Sequence, residues 1–125
     1  MLRFALVFGG IAGAMAVVLG AFAAHGLEKR LDQQALDWIE TGVRYQMWHA
    51  LALVGGAALM AWKPGPALNV AAVGWAAGIV LFSGALYLLA FAGTRGFAHV
   101  APFGGFAFIV GWAALVWHAL TLKLG

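Results

Sequence analysis

Four long apolar runs, free of Asp, Glu, Lys and Arg, follow one another along the chain. They cover residues 4–24, 45–62, 67–92 and 102–122. About 18 to 26 helical residues reach roughly 27 to 39 Å, which matches a hydrocarbon core of about 30 Å. Backbone amides in lipid must be hydrogen-bonded within their own segment, so each run is predicted to form a transmembrane helix.

The one polar stretch of the chain, residues 26–42, contains all four acidic residues. Its apolar residues recur at intervals of three or four, which predicts a short amphipathic helix over residues 27–42. Trp38 lies on the apolar face and favours a position in the membrane interface, with a solvated connector as the alternative. The apolar face consists of Leu27, Leu31, Ala35, Trp38, Ile39 and Gly42. The predicted fold is therefore all-α, a single transmembrane domain over residues 1–125, in which four transmembrane helices form a bundle and an interfacial helix joins the first two.

The amino-acid composition excludes a soluble globular domain. Hydrophobic residues make up 65% of the 125, charged residues only 9%, and the mean hydropathy is +0.96. So few charged side chains cannot cover the exterior of a soluble domain of this size. The chain has no cysteine, which excludes disulfides, thiolate metal ligands and cysteine nucleophiles.

The basic residues are scattered and form no continuous stripe. Although the net charge is +3, we therefore expect contact with membrane lipids and no nucleic-acid partner. With four spans, three basic residues fall on the side of the termini and four on the other side, so the positive-inside rule gives no orientation. The two groups are Arg3, Lys63 and Lys123 against Lys29, Arg30, Arg44 and Arg95.

Small residues form stripes along the predicted spans, and the chain has 18 glycines. In lipid, helices associate mainly by close packing, which small residues permit. We therefore expect the glycines within the spans to lie at helix contacts. The predicted packing positions are Gly9, Gly13, Gly20, Gly74, Gly78, Gly84, Gly104, Gly105 and Gly111.

Polar side chains are rare in the spans, and in an up-and-down bundle most of them fall near one membrane face. Tyr45 and His49 share a helix face at a spacing of four, as do Ser83 and Tyr87, so these side chains could converge. Two interpretations stay open: hydrogen bonds between helices, or a pocket for a ligand. The candidate cluster is His25, Arg44, Tyr45, Gln46, His49, Ser83, Tyr87, Arg95 and His99.

Several enzyme classes lack the residues that they need. The only serine, Ser83, has no nucleophile-elbow pattern, and no carboxylate lies inside a span to orient a histidine. A metal site of His25 with Glu28, or with His49 and His99, lacks diagnostic spacing, and a bis-histidine haem lacks an attachment motif. We therefore expect no enzymatic activity, no cofactor and no bound metal.

Aromatic residues also have expected positions. Trp117 and His118, near the opposite membrane face, are expected to lie in the interface. Trp75 and Trp112 lie deeper than an interfacial belt would place them. We expect these two side chains to fill the bundle or to face lipid.

Four sequence motifs occur in order along the chain: GAFAAHGL at 20–27, YQMWHALAL at 45–53, FSGALY at 82–87, and APFGG with a later GW within 101–112. Together they resemble the family of small membrane proteins called domain of unknown function 423, to which the mitochondrial transmembrane protein 256 is related. The resemblance covers essentially the whole chain. Ala23 and Ala85 replace small residues that the family often has there. The resemblance implies a four-span integral membrane protein of unassigned activity, and it supplies no catalytic residues.

The positions that match the family's motifs largely coincide with the polar cluster. They are His25, Tyr45, Gln46, His49, Ser83, Gly84, Tyr87, Pro102, Gly104 and Gly105. We expect a non-enzymatic, multi-pass protein of a bacterial inner membrane that associates with itself or with a larger membrane assembly. The alternative is binding or permeation of a lipid, a quinone or another small amphiphile through the His/Tyr pocket.

Overall fold

In the computed structural model, which describes residues 1–93 and 95–124, the chain is all-α. The five α-helices are α1 Leu2–His25, α2 Gln33–Trp62, α3 Pro66–Gly78, α4 Gly84–Ala92 and α5 Ala101–Thr121. A π-helical turn, Ile79–Ser83, joins α3 and α4 into one continuous helix. Two short 3₁₀ turns, Leu27–Lys29 and Arg95–His99, make up much of the remaining connections. The prediction of an all-α membrane fold is confirmed.

Among the residues that the structure describes, three helices are long and apolar enough to cross a membrane. They are Leu2–His25, Pro66–Ala92 and Arg95–Thr121. Helix α2 has 30 residues, but its first turns are charged, and Gln46 and His49 lie further along it, which lowers its hydropathy. Length and composition alone therefore identify three candidate spans, with α2 as the fourth long helix.

The prediction of a separate helix over residues 27–42 is wrong. Leu27–Lys29 is a 3₁₀ turn, and α2 then runs without a break from Gln33. Asp32 caps this helix, since its side chain accepts a hydrogen bond from the backbone N–H of Ala35 at 2.8 Å. The physical reason for the continuity is that the buried positions of the polar stretch and of the second apolar run are in phase, three or four residues apart. They are Ala35, Ile39, Gly42, Gln46, His49, Ala50, Leu53, Gly56, Ala57 and Met60.

The helices pack in an open order instead of a closed ring. Among the described residues, α1 packs chiefly on α2, and α2 packs on the helix Pro66–Ala92. Helix α5 packs on α3 and on the π-helical turn. The main core lies where α2, α3 and α5 meet, around Leu53, Trp75 and Phe108. Because α1 and α5 have few neighbours, both leave much of their apolar surface on the outside of the molecule.

Glycines allow the closest helix approaches. A Cβ added to Gly9 would lie 3.0 Å from the carbonyl oxygen of Ala50, and one added to Gly74 would lie 2.9 Å from that of Ala107. At Gly78 and Gly104 an added Cβ would overlap Phe108 and the backbone of Phe82. These contacts bring α1 onto α2, and α5 onto α3 and the π-helical turn, as expected for helices that associate by close packing.

Not every glycine predicted to pack does so. Gly111 is tightly enclosed by Trp75, whereas added Cβ atoms at Gly13 and Gly20 would make only ordinary contacts. At Gly84 and Gly105 an added Cβ would meet nothing within 4 Å, so the packing prediction does not hold for these two within the chain.

Candidate functional site

Gln46 on α2 is buried between two other helices, with 3% of its surface exposed. Its Nε2 donates to the carbonyl oxygen of Ala12 on α1 at 2.7 Å. Its Oε1 accepts from the hydroxyl of Tyr87 on α4 at 2.6 Å. One amide side chain therefore links three helices, and both ends of that amide have a partner.

Ser83 lies at the end of the π-helical turn and is fully buried. Its hydroxyl donates to the carbonyl oxygen of Gly42 on α2 at 2.7 Å. The turn has the wide spacing of a π-helix, since the N–H of Gly84 bonds to the carbonyl of Ile79. Gly42 has a second role, because an added Cβ there would lie 2.7 Å from the Tyr87 ring. The glycine therefore makes room for the tyrosine that reaches Gln46.

His49 uses both ring nitrogens inside the protein. Nδ1 lies 2.7 Å from the carbonyl oxygen of Tyr45, and Nε2 lies 3.0 Å from the indole Nε1 of Trp112. A carbonyl only accepts and an indole N–H only donates, so these partners assign the proton to Nδ1 and make Nε2 the acceptor. The ring also stacks on Phe108, with 3.6 Å between the ring centroids. His49 is therefore held as a neutral imidazole between α2 and α5.

A groove of about 910 Å³ opens between α2 and α5 beside this histidine. Its walls are largely aromatic and aliphatic, and its polar side chains are Tyr45 and His49. Tyr45 packs its ring against Phe82, with centroids 4.7 Å apart. Gln46, Ser83 and Tyr87 do not line the groove. The lining residues are Tyr45, Trp48, His49, Leu51, Phe82, Pro102, Gly105, Phe106, Phe108, Ile109 and Trp112.

The remaining candidates do not join this cluster. His25 is exposed at the end of α1, and Arg95 and His99 are exposed on their 3₁₀ turn. Arg44 is exposed and pairs with Glu40 one turn earlier at 2.9 Å. The structure thus brings together Tyr45, Gln46, His49, Ser83 and Tyr87, and leaves the other four at the surface. Within residues 1–93 and 95–124, no three His, Asp or Glu side chains are grouped closely enough to hold a metal ion.

Trp112 is the member of the cluster that the sequence analysis missed. The residue is 43% exposed, and its indole N–H donates a hydrogen bond to His49 Nε2. It also contacts Trp75, with ring centroids 4.9 Å apart. The signal that could have identified it is the GW pair at 111–112 among the family motifs, because Gly111 is the residue that admits Trp75 against α5.

Residues 19–105 match the family model described as "Protein of unknown function (DUF423)". The chain belongs to the DUF423 family. It is 43% identical to the "UPF0382 inner membrane protein YgdD" of Escherichia coli (strain K12), over 97% of this chain and 92% of that one. It is 41% identical to a "UPF0382 membrane protein" of Haemophilus influenzae, over 90% of each chain. It is 42% identical to the "UPF0382 membrane protein YwdK" of Bacillus subtilis, over 89% of this chain and 91% of that one. No solved structure matches.

The resemblance to this family is thereby confirmed. Its relatives carry membrane-protein names, and the described part of the chain has three helices that could span a membrane. This DUF423 member is a multi-pass protein of the bacterial inner membrane.

Proposed function

We propose that the chain is a four-span, non-enzymatic membrane protein that acts by association, with a second copy or within a larger membrane assembly. The observation that carries the proposal is that the polar side chains of the cluster already have hydrogen-bond partners within the protein. The side-chain nitrogens and oxygens of Gln46, His49 and Ser83 are bonded to neighbouring helices or to the helix that carries them. These groups hold helices together, as polar side chains in membranes commonly do, and they are not free to act on a substrate.

The fourth span in this proposal is α2. Its 30 residues reach about 45 Å, more than the hydrocarbon core requires. Its buried polar residues Gln46 and His49 have partners, so the cost of unpaired polar groups in lipid does not arise. In this proposal the extra length of α2 leaves residues 33–42 at the membrane interface, where Glu40 pairs with Arg44 one turn further on.

Helix α1 offers a surface for association. Its inner face packs on α2 through Gly9 and Ala12, while Gly10 and Ala14 face outward. An added Cβ at Gly10 would meet nothing within 4 Å. Gly10 and Ala14 are four residues apart, the spacing at which small residues let two membrane helices approach. Large exposed side chains, including Val7 and Ile11, flank this small-residue face.

Single-cysteine crosslinking tests the association, since the natural chain has no cysteine. Ala14→Cys places a thiol on the outer face of α1, and Ala16→Cys, buried at 1% exposure, is the matched control. In native membranes, a short bis-maleimide should trap Ala14→Cys as a dimer or as an adduct with another membrane protein. Ala16→Cys should stay monomeric. If Ala14→Cys and a second outward variant, Gly10→Cys, both stay monomeric, the proposed association through α1 is wrong.

The amphiphile pocket is the less favoured alternative. Of the five residues that the structure brings together, Gln46, Ser83 and Tyr87 are bonded between helices and lie away from the groove. Tyr45 and His49 remain on the groove wall, and His49 has no free nitrogen. A polar head entering the groove would therefore have to rely on Tyr45 or displace Trp112 from His49.

A further inference from the structure

A second cavity lies at the opposite end of the molecule, where α2 turns into α3 and α5 ends. It has a volume of about 440 Å³. Its walls come from the turn at residues 63–67 and from the last turn of α5. The cavity is therefore built from two segments far apart in sequence, and along α2 its nearest lining residue, Lys63, lies 17 residues or roughly 25 Å beyond Gln46. The lining residues are Lys63, Pro64, Gly65, Pro66, Ala67, Trp117, His118, Thr121, Leu122 and Lys123.

His118 is the unusual residue in this wall. Its side chain is buried, with only 7% of the residue surface exposed. Its ring lies against the turn, since a Cβ added to Gly65 would be 3.0 Å from Nδ1. Its Nε2 is buried and has no hydrogen-bond partner among the described residues. The hydroxyl of Thr121 does not supply one, because it bonds to the carbonyl oxygens of Trp117 and His118.

An unpaired nitrogen at this depth costs free energy unless a ligand or water completes its hydrogen bonds. The surrounding charges indicate what kind of ligand that would be. Lys63 and Lys123 both line the cavity, and every acidic residue of the chain lies within residues 28–40, at the other end of the spans. The first turn of α3, which begins at Pro66, adds the positive end of a helix dipole. The two lysines and this helix end favour an anion, and their charge outweighs the negative dipole ends of α2 at Trp62 and of α5 at Thr121, which border the same cavity.

We propose that this cavity binds the phosphate of an anionic phospholipid headgroup. Lys63 and Lys123 supply the positive charge, and His118, which lines the cavity, supplies a hydrogen bond through Nε2 after a small displacement of the side chains that enclose this atom. The location fits a lipid, because Trp117 is largely exposed beside the cavity, and tryptophan is the residue that typically lies at headgroup depth. The acyl chains would lie along the outer surfaces of α5 and α2, where Leu120 and Trp62 are exposed.

The test is native mass spectrometry of the purified full chain with added dioleoylphosphatidylglycerol or dioleoylphosphatidylcholine. Wild type should retain phosphatidylglycerol in preference to phosphatidylcholine. The variant Lys63→Gln/Lys123→Gln should lose phosphatidylglycerol affinity by about thirtyfold, the loss expected for removing two lysines near an anionic lipid. The matched control is Lys29→Gln/Arg30→Gln, which removes the same charge at the opposite end and should retain the lipid as wild type does.

A third variant, His118→Asn, tests the hydrogen bond without removing charge from the lysines. It should weaken phosphatidylglycerol binding while its elution profile and tryptophan fluorescence stay those of wild type. Equal losses in the two double variants would overturn the proposal, because binding would then follow net charge and not the cavity. Displacement of the lipid by excess inorganic phosphate would overturn the assignment to a lipid. Wild-type affinity in both His118→Asn and Lys63→Gln/Lys123→Gln would exclude the cavity altogether.

Discussion

The hydrogen bond between Tyr87 and Gln46 offers a direct test of how the helices are held together. Tyr87→Phe removes only the hydroxyl that donates to Gln46 Oε1 at 2.6 Å. The ring itself stays in place against Gly42, so no cavity is created there. The substitution therefore isolates one interhelical hydrogen bond from the packing around it.

The expected magnitude follows from the burial of Gln46. Only 3% of this residue is exposed, so its Oε1 would be left without a partner and without ready access to water. A buried acceptor in that state costs about 1 to 3 kcal/mol of the free energy of unfolding. Gln46→Leu would also break the bond to Ala12, and it would remove the acceptor to which the Tyr87 hydroxyl donates. The double variant should be less destabilised than the sum of the two, by about 0.6 to 1.7 kcal/mol, the range measured for hydrogen bonds between membrane helices.

The assay is reversible unfolding in mixed micelles by increasing sodium dodecyl sulfate, followed by the fluorescence of the six tryptophans. The matched control combines Tyr87→Phe with Gln33→Leu. Gln33 is an exposed glutamine that bonds to Asp37 in the first turns of α2. This pair of substitutions should show no coupling. A coupling energy of zero for Tyr87→Phe with Gln46→Leu would refute the reasoning, since the two side chains would then not share a hydrogen bond that matters to stability.

Three further predictions concern single positions, all measured by the same unfolding assay. Gly104→Ala should lower the free energy of unfolding by about 1 to 3 kcal/mol because its Cβ would overlap the Phe82 backbone, while Gly105→Ala on the same turn should cost nothing; equal effects would contradict the helix contact. Asp32→Ala should lower the free energy of unfolding by about 1 kcal/mol because it removes the side-chain cap on the N–H of Ala35, while Asp32→Asn should retain most of the stability. An equally large loss in the Asp32→Asn variant would show that the charge matters more than the cap. Trp112→Phe should lower the free energy of unfolding by about 0.6 kcal/mol because His49 Nε2 loses its donor. The control is Trp48→Phe in the same groove, and an equal loss in both variants would argue against the hydrogen bond.

The predicted polar cluster shows which contacts between side chains can be predicted from spacing along the helices. Spacings of four placed Tyr45 with His49 and Ser83 with Tyr87, and the direction of successive spans put both pairs near one membrane face. The bonds from Tyr87 to Gln46 and from Ser83 to Gly42 agree with that convergence. The same argument also included His25, Arg95 and His99, which are exposed, because depth along a helix does not tell which way a side chain points across the bundle.

The sequence by itself determined the membrane character and the all-α class, because hydropathy and the need to satisfy backbone amides in lipid act within each segment. It also identified most of the tight glycines, since small residues repeat along the faces that pack. Only the tertiary structure decided that α2 is one helix, that Gly104 packs while Gly105 does not, and that Trp112 donates to His49. The continuity of α2 depends on which of its positions the neighbouring helices bury. The contacts of Gly104 and Trp112 depend on how one helix is rotated against another, and in a chain apolar on nearly every face the sequence carries little information about that rotation.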